Sequence, residues 1–155
     1  MGRLARYNEN MGTPRDELEE LCAQYGLRLV YAFGSRAEEM RSFLNGEKRS
    51  PSLSASDVDI AVLSDAHLTV EQKVQLGLAL ETILDAPRVD LLALDEADPF
   101  LAANVIRGER LYARDSYEAD EYDLYVLRRA GDLAGLERER MALVLGEEPS
   151  KYDAG

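Results

Sequence analysis

The sequence predicts an α/β or α+β domain, a β-sheet covered by helices, and three observations point there. Segments with strand alternation take turns with segments of helical periodicity. Helix-start signals recur at Thr13-Pro14, at Thr69 with Gln72, and at Asp98-Pro99. The composition, 46% apolar and 31% charged over 155 residues, is that of a globular chain long enough to bury a core without a disulfide or metal staple.

Taken in order, Thr13 caps a first helix, with Pro14 in the first turn and Asp16 three residues after the cap. Leu18, Leu21, Cys22 and Tyr25 form its apolar stripe, and Gly26 ends it. Cys22, the only cysteine, excludes an intramolecular disulfide and a Cys-based zinc site, and its place on the stripe marks a packed core thiol. Residues 27–33 (LRLVYAF) read as a strand that Gly34-Ser35 breaks. A short helix over 37–44 precedes an exposed loop at 45–56, rich in Gly, Ser, Pro and Lys. A second strand covers 57–63, and a helix with a Thr69/Gln72 capping box runs over 69–84 until Pro87 stops it. The third strand is 88–94, and its helical link to the second favours a right-handed parallel crossover. Asp98-Pro99 opens a helix that Gly108 closes, and 110–113 is a short extended piece. Ser116 is the expected cap of a long last helix to about Leu145, weakened at Gly131. No repeat or domain boundary is visible, so 13–146 reads as one domain between a flexible leader (1–12, with Met11 an alternative start) and a flexible tail (147–155).

The charge is 18 − 30 = −12, which argues against a broad nucleic-acid surface, because phosphate neutralisation needs clustered Lys and Arg. No apolar run approaches a membrane span. The N-terminus is basic but lacks the apolar core of a signal peptide, and Arg6 stands where an acylation motif wants Ser or Thr. The expected location is the cytoplasm.

The chemistry concentrates at Asp57-Val58-Asp59. Two residues apart on a strand, both carboxylates share one face while Val58, Ile60 and Val62 share the other. Two such charges repel unless a cation sits between them, and Mg²⁺ is the economical partner, since it typically takes one or two protein carboxylates plus substrate phosphates. Gly34-Ser35, after a strand and before a helix, offers backbone amides and a hydroxyl to a phosphate, and Arg36 adds a cation. Asp90, in an otherwise apolar strand, needs a cation or a task to offset its burial. Together these outline a two-cation phosphate-transfer site.

The set Phe33-Gly34-Ser35-Arg36-Ala37, Ser56-Asp57-Val58-Asp59-Ile60-Ala61-Val62-Leu63 and Val89-Asp90-Leu91-Leu92 resembles the nucleotidyltransferase superfamily with the polymerase-β-like palm. The match is to its minimal nucleotidyltransferases, the MntA-type adenylyltransferase antitoxins found beside HEPN-domain toxins. Asn104-Val105-Ile106-Arg107-Gly108-Glu109-Arg110-Leu111-Tyr112 also looks like the family's segment after the third strand. The resemblance covers about residues 14–115. One departure is the spacer from Arg36 to Ser56, 21 residues and longer than the family usually has, which reads as a loop insertion that could form a lid or a partner contact.

The resemblance implies a small mixed sheet flanked by helices with a C-terminal helix. It implies transfer of AMP from ATP to a hydroxyl, a tyrosine of a cognate HEPN RNase toxin, with two Mg²⁺ ions held by Asp57, Asp59 and Asp90 and the outer phosphates held by Gly34, Ser35 and Arg36. Neither nucleic acid nor membrane is an expected direct partner. A rival reading is an antitoxin that works by binding alone. Another is an enzyme modifying a small molecule, for which only 65 residues after Asp90 leave little room. Leu124, Leu127 and Leu136 on the last helix, with Arg128, Arg129, Arg138 and Arg140, either cover the domain's own core or dock a partner, the former being expected. His67 is expected on the surface, and Tyr117, Tyr122 and Tyr125 in packing or an interface.

Overall fold

The structure is a computed structural model that describes residues 12–47 and 57–146. The leader through Met11, most of the 45–56 loop and the tail after Gly146 lie outside the described residues.

Helix α1 is Pro14–Tyr25, and its start is a closed capping box: Thr13 Oγ1 accepts from the Asp16 amide at 3.2 Å and Asp16 Oδ2 accepts from the Thr13 amide at 3.1 Å. Gly26 ends it in the left-handed conformation. Strand β1 (Leu27–Phe33) runs into a 3₁₀ turn at Gly34–Arg36 and then α2 (Ala37–Leu44). Strand β2 is Val58–Ser64, α3 is Val70–Leu84, and β3 is Val89–Ala93. A 3₁₀ turn at Leu94–Glu96 leads to α4 (Pro99–Ile106), capped by Asp98, whose carboxylate accepts from the Leu101 amide at 2.9 Å. Strand β4 (Glu109–Ala113) and α5 (Ser116–Val144) complete the order.

Strands β2 and β3 are each within one residue of the expected bounds, and three local features differ from expectation. The cap of α5 is Asp115, not Ser116, because its ionisable carboxylate accepts from both the Tyr117 and the Glu118 amides. Asp85, in a left-handed conformation, closes α3 before Pro87 is reached. Gly131 does not interrupt α5, whose 29 residues run unbroken.

The sheet has the order β3-β2-β1-β4. Strand β1 is antiparallel to both β2 and β4, while β2 and β3 are parallel, joined through α3. Both faces are covered. On one face Val58, Ile60 and Val62 pack with Val30, with Leu18 and Cys22 of α1, Met40 of α2, and Leu76 and Leu80 of α3. On the other, Tyr31, Ala61 and Leu63 pack with Leu94, Ala102 and Val105 of the α4 region and with Ala119, Val126 and Ala130 of α5. Cys22 is fully buried in the first cluster, and burial first, then the neighbouring Glu19, pushes its thiol up to about 12.

The apolar residues expected to cover the core from the last helix do not. Leu124, Leu127 and Leu136 are exposed, and α5 is anchored instead by small residues and Val126. A polar network locks it as well: the buried Tyr31 hydroxyl donates to Asp123, and Arg110 of β4 donates to Tyr31 Oη (3.3 Å), Asp123 (2.8 Å) and Asp120 (3.0 Å). No helix among the described residues is long and apolar enough to cross a membrane.

Candidate active site

The end of β1 and the starts of β2 and β3 meet at one edge of the sheet, and the expected carboxylates are there. Phe33 pairs with Asp59 across β1 and β2, and Asp59 pairs with Asp90 across β2 and β3. In register on adjacent strands, Asp59 and Asp90 point to the same face. Asp57 lies just before β2, two residues from Asp59 and near enough for its charge to act on it, while Val58 and Ile60 are fully buried on the other face. The sheet thus brings together all three carboxylates, from two strands that are well apart in the sequence.

The mutual approach has an electrostatic signature. Asp59 is half-buried, and its carboxyl is held above its ordinary value by burial first and then by the charges of Asp90 and Asp57. Among the described residues, the cation paired with this cluster is Arg88, whose Nε lies 3.8 Å from Asp57 while the side chain is largely exposed. Asp90 is itself exposed, as the second residue of an edge strand, so its desolvation is smaller than its apolar neighbours suggest. Its significance is its register with Asp59.

Gly34 and Ser35 are exposed, and Gly34 sits directly against Asp59. Gly34 has φ +77°, and a Cβ built on it would overlap the Asp59 carboxylate, so only glycine lets the turn pass this close. The 3₁₀ turn runs directly into α2, with the Ala37 amide donating to the Gly34 carbonyl. Arg36 departs from the expected arrangement. It is 4% exposed, and its guanidinium is held by Glu39 through two contacts of 3.0 and 3.3 Å. It braces the turn from within and does not project toward the open side where a phosphate would sit.

Gly108 reads in the sequence only as a helix stop. A Cβ on it would strike the carbonyl of Ala32 and come within 3.1 Å of the Phe33 Cα. The α4–β4 turn therefore rests on the backbone immediately before Gly34 and fixes where the chain turns into the site. The available signal is the glycine itself, in a position where a helix end alone does not require one.

The donor set suits a hard divalent cation: three carboxylates, no sulfur and no imidazole. The oxygens are not crowded onto a single point. Among the described residues, the one triplet with all ligand atoms within 4.8 Å is His67, Asp95 and Glu96, on the exposed surface away from the Gly34-Ser35 turn. There His67, exposed as expected, contacts Asp95 at 2.9 Å, and Lys73 already occupies Glu96 at 2.6 Å.

A glycine-serine turn laid against an in-register acidic pair is the layout of a phosphate-transferring palm. The family model described as polymerase beta, nucleotidyltransferase, matches residues 16–117, and the chain belongs to this family. Its fold is similar to a chain of a mutant MntA toxin–antitoxin pair, at 22% identity and TM-score 0.61, covering 84% of this chain and 97% of that one. It is similar to a chain of the complex between tri-AMPylated Shewanella oneidensis HEPN toxin and its MNT antitoxin, at 22% identity and TM-score 0.57, covering 85% and 95%. A toxin–antitoxin structure with AMP-PNP aligns at 23% identity and TM-score 0.59, covering 84% and 97%. No curated protein matches the sequence.

Proposed function

We propose that this chain is a cytoplasmic antitoxin that transfers AMP from ATP to a hydroxyl, a tyrosine, of a cognate HEPN RNase toxin and thereby neutralises it. The observation that carries the transfer chemistry is the register Phe33–Asp59–Asp90 with Gly34 pressed onto Asp59. The likeness in fold to chains of complexes with HEPN toxins, one of them tri-AMPylated, supports the choice of acceptor.

Asp57 and Asp59 would hold two Mg²⁺ ions between them, and Asp90 would share the ion on the acceptor side. Bound Mg²⁺ supplies charge neutralisation at the transferring phosphate and the leaving pyrophosphate. In a protein of charge −12, the triphosphate needs that neutralisation to approach this acidic edge. Gly34 and Ser35 hold the outer phosphates through the turn's amides and the serine hydroxyl, with Arg36 and Glu39 keeping the turn in place. Asp90, on the exposed side of β3, accepts the proton of the incoming hydroxyl. The acceptor oxygen attacks the α-phosphorus, the bond to the β-phosphate oxygen breaks, and pyrophosphate leaves. Alignment and electrostatics provide most of the acceleration.

The experiment is incubation with ATP, Mg²⁺ and the HEPN protein encoded beside it, followed by intact mass measurement of that protein. One or more added AMP units are expected, with none for Asp59→Asn and none in EDTA. An unmodified partner, or equal modification by Asp59→Asn, refutes the proposal.

A further inference from the structure

Helix α5 outgrows the domain it covers. Its last buried residue is Ala130, yet the helix continues to Val144 and leaves large apolar side chains in solvent. Part of this exposure is ordered. Leu124, Gly131, Arg138 and Leu145 recur every seven residues, interleaved with Leu127, Ala134 and Met141, and the pattern extends back through Tyr117 and Asp120. This is a heptad seam with two polar positions. Tyr117, Leu124, Leu127, Met141 and Leu145 are exposed by 73, 53, 42, 44 and 65%. At 3.6 residues per turn the seam lies about a third of a turn from the face that packs on the sheet.

We infer that this seam is the self-association surface of the chain, closed by the same seam of a second copy running antiparallel about a two-fold axis near residue 129. The reason is self-complementarity. Antiparallel pairing about that point sets Leu124 against Ala134, Leu127 against Gly131, Tyr117 against Met141, and Asp120 against Arg138, each twice. Leu124 and Leu127 meet small residues, Tyr117 meets the adaptable Met141, and the two charged positions meet with opposite sign. Asp120 already accepts from Arg110 but remains 69% exposed, with lone pairs left for a second donor. Parallel pairing would stack Gly131 on Gly131 and Arg138 on Arg138, a gap beside a repulsion. A surface shaped for a foreign protein has no need to match itself under a two-fold rotation. The face is separate from Asp57, Asp59 and Asp90, so the inference does not rest on the proposed transfer.

The test is sedimentation equilibrium of the full chain across a concentration series, without nucleotide or toxin. A monomer–dimer equilibrium is expected, weakened about 30-fold or more by Leu127→Asp or by Arg138→Asp. Both positions are exposed, so thermal melts of the variants should match the parent at concentrations below its dimer dissociation constant. Orientation is read by mixing single-cysteine variants: Leu127→Cys with Gly131→Cys should form a mixed disulfide, and Leu124→Cys should not cross-link with itself. A chain that stays monomeric overturns the inference, as does a dimer indifferent to both substitutions or one linked through paired Leu124→Cys. If the isolated chain is monomeric and Leu127→Asp abolishes binding of the HEPN protein, the seam belongs to that partner and the inference also fails.

Discussion

Removing one charge from the acidic edge should stabilise the metal-free protein while it abolishes function. Asp59→Asn is the informative substitution. Asp59 is in register with Asp90 on the adjacent strand, a backbone separation of about 5 Å. Two unit charges at about 5 Å repel by about 1 kcal/mol in water and about 3 kcal/mol at the dielectric of a protein surface. Because Asp90 is exposed and salt screens the pair, the lower figure applies, about 1 kcal/mol, or a melting temperature raised by about 3 °C in a chain of this size. The pH dependence fixes the sign. The folded-state carboxyl titrates above its ordinary 3.8, so between that value and the raised one the folded protein binds more protons than the unfolded chain. The native carboxylate therefore loses stability as pH rises through that window, and the loss is complete above it. The advantage of Asp59→Asn should accordingly be full at neutral pH and vanish in acid below 3.8. The assay is thermal denaturation of both proteins in EDTA and in Mg²⁺ across that pH range. Mg²⁺ should raise the melting temperature of the parent at neutral pH and leave Asp59→Asn nearly unchanged. An Asp59→Asn protein less stable than the parent in EDTA, or an equal response to Mg²⁺, would refute the claim that these carboxylates share one electrostatic site.

Gly34→Ala should cost about 1–2 kcal/mol from its φ of +77° alone. Its methyl group also displaces the Asp59 carboxylate, so AMP transfer should fall about 100-fold or more, as measured by partner labelling. The Cys22 thiol, pushed up to about 12, is about one part in ten thousand thiolate at pH 8, so a disulfide reagent should label it only as fast as the protein opens. Asp123→Ala leaves the buried Tyr31 hydroxyl without its acceptor and removes one of the two carboxylates on Arg110. A loss of about 2 kcal/mol in denaturant unfolding is expected, and Tyr31→Phe in the same background should recover part of it.

The parts of this fold that sequence disclosed are those governed by neighbours in the chain. Thr13 with Asp16 and Thr69 with Gln72 close capping boxes within four residues, and both helices start where those pairs place them. Asp59 is on the strand where alternation puts it, with Asp57 one residue before the strand begins, and Ala37–Leu44 is a helix as its spacing indicates. Where two adjacent residues can serve the same role, local reading loses resolution: Asp115 and Ser116 are both of a type that caps helices, and the cap is Asp115, whose Oδ1 accepts from the Tyr117 and Glu118 amides and whose charge suits a helix N-terminus. Arg36 illustrates a sharper limit. Its sequence position beside the glycine-serine turn suggests a phosphate ligand, but the direction of a side chain on a 3₁₀ turn depends on what lies beneath it. Glu39, three residues on, was the available sign that the guanidinium turns inward.

What no local rule supplies is registration between distant segments. Asp90 is an isolated acid until β3 is laid parallel to β2 with no offset, and a slip of one residue would aim it at the opposite face. That register is set by the apolar packing of α3 and of Val58, Ile60 and Val62 beneath it, with the Val58 amide donating to the Arg88 carbonyl at 3.0 Å to pin the start of the ladder. Gly108 acts the same way from the other side, since only its missing side chain lets the α4–β4 turn bear on Phe33 and set the height of Gly34 against Asp59. The acidic edge is thus held by residues that never touch a substrate. Glu39→Ala should therefore lower partner labelling more than it lowers the melting temperature, because it removes the contacts that hold Arg36 beneath the turn, whereas Gly108→Ala, whose Cβ would overlap the Ala32 carbonyl, should cost stability as well as labelling.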